Sequence, residues 1–439
     1  MWYKANYDEL TGLPNRDLFH DRLKQTIVKA NRDGGMGALM FLDLDRFKEV
    51  NDTMGHSRGD LLLSAVARRL LDSVRKSETV ARLGGDEFVI LLTDVKNDQD
   101  AVTVANKIRK NMSEPFDVDG HEVFSSTSIG IVLYPRHGND SHTLLRNADL
   151  AMYSAKARGR NAFAFFNEEM NQKAQERRSM ESCLRSALIE KEFFLVYQPQ
   201  IERSTGKMVG AEALLRWHHP QKGLIPPDQF IPIAEESGLI GPIGEWVLRN
   251  ARTQAQLWQQ AGKPPLRVAV NISGHQFLKP DIVDTIEGIL AETGLNPSLL
   301  DLELTESILM EVADSMIEPL IDLKMRGVQL SIDDFGTGYS SLSYLKHFPI
   351  NRIKIDRSFV RDITNVRDNA VIVEAIIAMA RSLSLTVVGE GVETEEELDY
   401  LAALGCDEIQ GYYFSKPVAP EDLFQSLSRS SLTNPLTQG

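Results

Sequence analysis

The sequence predicts an α/β and α+β chain: a mixed-sheet domain followed by a (β/α)8 barrel of TIM type with one antiparallel strand. Three observations predict it. In the C-terminal half, short apolar runs alternate with segments long enough for a helix, the pattern of parallel strands joined by crossovers. Acidic and amide residues recur where those runs end, at Glu212, Asn271, Glu303, Asp333, Asp334 and Glu390, and barrels of this kind carry their chemistry at that end of their strands. In the N-terminal half the alternation is irregular and includes a glycine hairpin, which implies antiparallel pairs within the sheet.

Within residues 5–165, Met36–Leu44 reads as a buried strand, and Arg58–Val74 as an amphipathic helix whose Leu62, Val66, Leu70 and Val74 are spaced by four. Thr79–Leu83 and Phe88–Thr93 read as strands joined at Gly84-Gly85, a dipeptide that accepts the positive φ of a two-residue turn. Val123–Tyr134 reads as a further strand and Leu144–Ala157 as a further helix. Residues 166–191 carry no strand pattern. Met170, Ala174, Met180, Leu184 and Leu188 line one helical stripe there, which fits a helical linker and a helix of the following domain equally well.

The barrel is expected over residues 192–427, with eight strand candidates. Phe194–Ile201 and Met208–Leu215 are separated only by Glu202–Lys207, too short for a parallel crossover, so this pair is expected to be antiparallel. The runs Arg267–Val270, Leu299–Leu302, Val328–Ile332 and Leu385–Gly389 follow, separated by helical segments such as Pro242–Gln260 and Val371–Leu383. Residues 428–439 are rich in Ser, Thr and Asn and are expected to form a flexible tail.

Composition narrows the function. A chain of 439 residues suggests two or three domains. Its net charge of −14 argues against a nucleic-acid polymer as partner, which needs a basic footprint. No apolar run approaches the ~20 residues of a membrane span, and Met1-Trp2-Tyr3-Lys4 opens no signal peptide. Two cysteines cannot form a disulfide framework, which points to the cytoplasm. The first domain starts almost at Met1, leaving room for an upstream sensory or membrane segment in a longer protein.

Six oxygen donors at matching strand ends imply hard divalent cations, Mg²⁺ or Mn²⁺, and an anionic substrate. One such Glu alone is normally a solvated acid, and Lys354 alone a salt-bridge partner; the coincidence of six weighs against that. Zinc is disfavoured, because Cys and His are missing at ligand spacing. In the first domain, Asp43 ends a strand and Asp86 and Glu87 sit on the glycine hairpin. Their carboxylates suit cations on nucleotide phosphates, with Lys48, Lys156 and Arg160 as further charge.

The longer strings Asp8-Glu9-Leu10-Thr11-Gly12-Leu13-Pro14-Asn15-Arg16, Phe47-Lys48-Glu49-Val50-Asn51-Asp52 and Arg82-Leu83-Gly84-Gly85-Asp86-Glu87-Phe88 resemble the GGDEF diguanylate cyclase family over about residues 5–165. The resemblance implies condensation of two GTP to cyclic di-GMP across a homodimer. It implies Asp43 and Asp86 as ligands of one or two metal ions, with Glu87 beside them. It implies Asn51 and Asp60 on guanine, and Lys48, Lys156 and Arg160 on the triphosphate. One departure stands out: the family's inhibitory Arg-x-x-Asp reads Arg75-Lys76-Ser77-Glu78 here, so feedback binding of product is expected to be weak.

Glu212-Ala213-Leu214-Leu215-Arg216, Asn271-Ile272-Ser273, Glu303-Leu304-Thr305-Glu306, Asp333-Asp334-Phe335-Gly336-Thr337-Gly338, Lys354-Ile355-Asp356, Glu390-Gly391-Val392-Glu393 and Gln410-Gly411-Tyr412 resemble the EAL family of cyclic di-GMP phosphodiesterases over about 180–427. The resemblance implies hydrolysis of cyclic di-GMP to linear pGpG. Glu212, Asn271, Glu303 and Asp333 would hold one cation, and Asp333 with Asp334 a second. Lys354 would orient the attacking water, and Glu390 would hold Lys354 or a water. Arg216 would meet a substrate phosphate, Gln198 and Gln410 guanine or water. Glu306 would anchor the loop Asp334–Tyr339 with its Gly336 and Gly338. The expected protein is a tandem enzyme with opposing sites in which hydrolysis dominates. The rivals are a net diguanylate cyclase and a non-catalytic receptor of cyclic di-GMP and GTP; the receptor reading is weakened because every metal carboxylate is present.

Overall fold

The computed structural model describes residues 5–311, 313–337, 345 and 347–425. Gly338 and Tyr339 of the expected glycine loop and the expected tail 428–439 lie outside the described residues. The chain divides into two compact units, Met1–Arg178 and Ser179–Gly439.

The first unit contains β1 (Gly37–Leu44), β2 (Thr79–Gly84), β3 (Glu87–Leu92), β4 (Phe116–Val118), β5 (His121–Val123), β6 (Thr127–Tyr134) and β7 (Phe163–Phe165). Five of these form one sheet in the order β2-β3-β1-β6-β7, with β1 in the middle. β3 and β6 run antiparallel to β1, and β7 parallel to β6. All eight residues of β1 are buried, as a strand covered on both faces must be. Alternate residues feed separate cores: Met40 and Leu42 pack with Leu62, Val66 and Ile108, whereas Leu39 and Phe41 pack with Phe19, Leu23 and Ala148.

Two details differ from the sequence expectation. Val123–Tyr134 is not one strand, because Val123 pairs back on Phe116 in a separate hairpin. The turn between β2 and β3 is Gly85-Asp86, since Gly84 is itself paired with Glu87; both glycines hold positive φ, 146° and 53°. The acidic turn therefore lies one residue later, and Glu87 just beyond it pairs with Asp43 at the end of the central strand.

The second unit contains β8 (Phe193–Glu202), β9 (Met208–His219), β10 (Gly223–Ile225), β11 (Arg267–Asn271), β12 (Leu300–Thr305), β13 (Gln329–Phe335), β14 (Arg352–Ile355), β15 (Thr386–Gly389) and β16 (Glu408–Ile409). Strands β9 and β11–β16 run round the barrel in chain order, and β8 closes it between β16 and β9. β8 is antiparallel to both neighbours; the remaining pairs around the barrel are parallel. β10 extends β9 outside the closed ring. The single reversed strand follows from the short β8–β9 link.

The stretch expected as a linker forms one helix, Glu168–Ile189. The division between the units falls inside it. Met170 packs in a core of the first unit, and Leu184 and Ala187 pack in the barrel core. Among the described residues no helix is long and apolar enough to cross a membrane.

Candidate active sites

In the barrel, parallel register lines up the acids at one end. Asn271 pairs with Glu303 across β11 and β12, and Asp333 pairs with Thr305 one level further on. Strict strand alternation would aim Asp333 and Asp334 to opposite faces. Here the β13–β14 register shifts between Ile332 and Phe335, and Asp334 takes φ 53°. Both carboxylates consequently reach the same cluster. Glu212, Glu303 and Asp333 form one trio of acids, and Asp333, Asp334 and Glu390 a second; the donor atoms within each trio lie within 4.8 Å of one another.

Lys354 sits at the centre, 1% exposed. Its Nζ lies 2.8 Å from Glu303 Oε2, 2.8 Å from Glu390 Oε1, 3.2 Å from Asp333 Oδ1 and 3.5 Å from Glu212 Oε2. Burial alone would drive its proton off, but the carboxylates hold the ammonium well above the usual lysine range. The acids respond unequally. Burial and the neighbouring acids push Glu303 well above the carboxylate range, and burial and the Asp333 charge do the same to Glu390. Asp334 is pushed up to about 6 by burial and by Asp333 and Asp356. Glu212 moves the other way. Burial opposes its ionisation, but Lys354, Gln410 and Asn271 outweigh it and hold the group below the ordinary value. Asn271 Nδ2 donates to Glu212 Oε1 at 2.7 Å, and Gln410 Nε2 to Glu212 Oε2 at 2.6 Å.

The donor set fits divalent cations. It is all oxygen, it carries more acids than one lysine neutralises, and the buried Oε1 of Glu303 has no hydrogen-bond partner among the described residues. A buried carboxylate oxygen without a donor is costly unless a cation meets it.

Gln198 and Gln410 are buried in the floor of the cleft. Gln410 Nε2 also reaches Gln198 Oε1 at 3.2 Å, and Gln198 Nε2 donates to the Ser415 carbonyl at 3.2 Å. They line a cleft of about 560 Å³ with Glu212, Asp333 and Glu390. Arg216 stands half-buried at the rim of an adjoining apolar pocket with Asn271 and Glu235, and donates to the Leu215 carbonyl at 2.8 Å. Glu306 is fully buried, and its Oε2 accepts the Gly336 N–H at 2.8 Å. Asp356, quoted within a motif but given no role from sequence, proves to be the acid facing Asp334. The signal was its spacing: two residues beyond Lys354 on an extended segment, it shares the lysine's side.

In the first unit, Asp43 Oδ1 meets Lys156 Nζ at 2.6 Å. Glu87 pairs with Asp43 across β1 and β3. Burial and the nearby Asp86 raise the Asp43 acid, although Lys156 partly offsets them; burial and Asp149 raise Glu87. The glycine hairpin is tied down from behind. Arg82 pairs with Asp8 at 3.0 Å and donates to the Gly85 carbonyl at 2.7 Å. Asp45, which the sequence shows beside Asp43, is occupied structurally: it accepts from Ser126, Ser128 and the Asn161 N–H. An added Cβ at Gly59 would sit 1.9 Å from Asn51 Oδ1, so this glycine lets Asn51 pack against the helix that carries Asp60. That glycine carries no signal in sequence, because the need for it arises only when two helices meet. Lys48 and Arg160 are exposed. Glu78 turns its Oε2 onto the Thr93 N–H at 2.7 Å, close to Arg75.

Comparison with known proteins gives two family matches. The family model described as "Diguanylate cyclase, GGDEF domain" matches residues 5–162, and that described as "EAL domain" matches residues 181–417. The chain is 49% identical over 424 residues to the bifunctional diguanylate cyclase/cyclic di-GMP phosphodiesterase MucR of Pseudomonas aeruginosa, covering 97% of this chain and 62% of that protein. It is 42% identical over 414 residues to the cyclic di-GMP phosphodiesterase NbdA of the same organism, covering 94% of this chain and 53% of the relative. The chain thus spans between half and two thirds of the length of these relatives. A solved structure described as "PaMucR Phosphodiesterase, c-di-GMP complex" superposes with a TM-score of 0.54 at 47% identity, covering 56% of this chain and 99% of that one.

Proposed function

Because the chain belongs to the tandem GGDEF–EAL family, we propose that its barrel, residues 192–427, hydrolyses cyclic di-GMP to linear pGpG, and that its first domain, residues 5–165, binds GTP. The observation that carries the reading is the pair of acid trios sharing Asp333 around one buried lysine. Two Mg²⁺ or Mn²⁺ held by Glu212, Asn271, Glu303 and Asp333, and by Asp333 with Asp334, would activate water and neutralise the substrate phosphate. The chain's own residues supply the rest. Lys354 remains an ammonium and stabilises charge that develops on the phosphoryl oxygens. Glu390 accepts from Lys354 Nζ and so aims it. Arg216, half-buried beside Asn271, would contact a substrate phosphate. Gln198 and Gln410 shape the floor on which a guanine or a water rests. Glu306 holds Gly336, two residues beyond Asp334, through its backbone N–H.

In the first domain, Asp43 and Asp86 would hold one or two metal ions, with Glu87 at the same turn. Asn51 and Asp60 would read guanine, and Lys48, Lys156 and Arg160 the phosphates. Formation of cyclic di-GMP there needs two GTP-loaded domains face to face, hence a homodimer. The barrel site is complete within one chain and escapes that association cost, so hydrolysis dominates. The Glu78 carboxylate, spent on the Thr93 N–H, supports weak product feedback through Arg75 and Glu78.

The test is direct. The full chain is incubated with Mg²⁺ or Mn²⁺ and either cyclic di-GMP or GTP, and initial rates are followed by chromatography at one protein concentration. Faster formation of pGpG than of cyclic di-GMP is expected. Cyclic di-GMP accumulating from GTP without pGpG would favour a net cyclase, and binding without turnover a receptor.

A further inference from the structure

The opposite mouth of the barrel is closed by buried charge. Arg267 pairs with Asp301 at 3.3 Å and with Glu408, and Arg352 pairs with Asp301 at 3.2 Å and Glu408 at 3.6 Å. From this plug a line of hydrogen bonds runs to the acidic site. Arg267 Nη2 donates to Gln200 Oε1 at 2.8 Å. Gln200 Nε2 donates to Gln410 Oε1 at 3.1 Å. Gln410 Nε2 donates to Glu212 Oε2 at 2.6 Å. Gly210 leaves the gap the line passes through: a Cβ there would stand 2.7 Å from Gln200 Oε1 and 3.2 Å from Arg267 Nη2.

The direction of this line is set by its far end. A guanidinium has donors and no acceptor, whereas an amide has one end of each kind. Arg267 therefore takes the oxygen of Gln200, which leaves the Gln200 N–H for the oxygen of Gln410, which leaves the Gln410 N–H for Glu212. Reversing either amide would set oxygen against oxygen in a buried site, a costly arrangement. We infer that Gln200 and Arg267 are positioning residues of the acidic site, acting through Gln410 to hold Glu212 as an oriented acceptor ready for a cation. The inference rests on the proposed metal role of Glu212.

Variants at Gln200 separate orientation from packing. Gln200→Met keeps the volume and releases Gln410 to present either end. Gln200→Glu keeps the acceptor for Arg267 but sets a second acceptor against Gln410 Oε1, so that Gln410 turns its oxygen toward Glu212. Mn²⁺ binding to the full chain is measured by the electron-spin resonance of the free ion, with Glu212→Gln identifying the barrel-bound ions, and melting temperature is recorded in EDTA. Affinity should fall in the order wild type, Gln200→Met, Gln200→Glu, the last by about tenfold, as for other groups that orient metal ligands. Gln200→Glu should melt no lower than Gln200→Met, and its hydrolytic rate should recover at saturating Mn²⁺. Wild-type Mn²⁺ affinity in Gln200→Glu, with barrel ions lost in Glu212→Gln, would overturn this inference alone. So would Mn²⁺ affinities that simply track melting temperature. Mn²⁺ binding indifferent to Glu212→Gln would overturn the metal reading of the site and this inference with it.

Discussion

The two acidic sites of this chain solve the same problem in opposite ways. In the barrel, five acids converge in a buried site around one ammonium that is 1% exposed, and neighbouring amides polarise them. In the first unit, Asp43 meets a lysine that is 29% exposed, and Asp86 and Glu87 ride on a hairpin open to solvent. The buried site holds its geometry through mutual constraint and carries the cost of unbalanced charge. The open site is cheap to keep, and on the proposed reading it acts only when a second GTP-loaded domain faces it. A site complete within one chain can act at any concentration, whereas one needing a second face is governed by encounter.

The sharpest break of the comparison is chemical. Glu212→Gln should reduce pGpG formation at least about a hundredfold, because it removes a proposed metal ligand, and leave GTP cyclisation unchanged, so that any cyclic di-GMP made from GTP accumulates. Asp86→Ala should do the reverse. Chromatography of both reactions in both variants checks the pair; a variant that silences both sites would show that the sites are not independent.

Next in size is Lys354→Met. Removing the central ammonium from these buried acids should destabilise the barrel by about 3–5 kcal/mol. Addition of Mn²⁺ should restore part of that, since a cation binding only the folded state stabilises it. Thermal melts with and without Mn²⁺ measure both effects. An unchanged melting temperature in EDTA would mean that the acids relieve their repulsion by taking up protons.

A smaller effect is expected at Gly59→Ala. The new methyl group displaces Asn51 from its place against the helix that carries Asp60, and GTP affinity should drop about tenfold, the equivalent of one hydrogen bond. Calorimetric titration of GTP reads it, with barrel hydrolysis as the internal control. The smallest is Lys156→Met. Its partly exposed pair with Asp43 is worth at most about 1 kcal/mol, so the melting temperature should barely move while triphosphate binding weakens. A loss as large as that of Lys354→Met would erase the contrast between the sites.

The sequence by itself determined the strand–helix alternation, the antiparallel β8–β9 pair through its short link, and the acids at the strand ends. These are legible because side-chain period and loop length are local properties. The motif strings Glu212–Arg216 and Arg82–Phe88 pointed to both candidate sites through their resemblance to two families. Only the tertiary structure decided how Asp333 and Asp334 face one cluster, since a bulge and a positive φ are imposed by neighbouring strands. Only the fold revealed that Asp45 is spent on Ser126 and Ser128, that Gly59 makes room for Asn51, and that Arg267, Asp301, Arg352 and Glu408 meet inside the barrel. Arg267 lies 141 residues from Glu408, and no local pattern announces such a pairing. Burial makes it necessary: a charge withdrawn from water must find its partner wherever the closed barrel brings one.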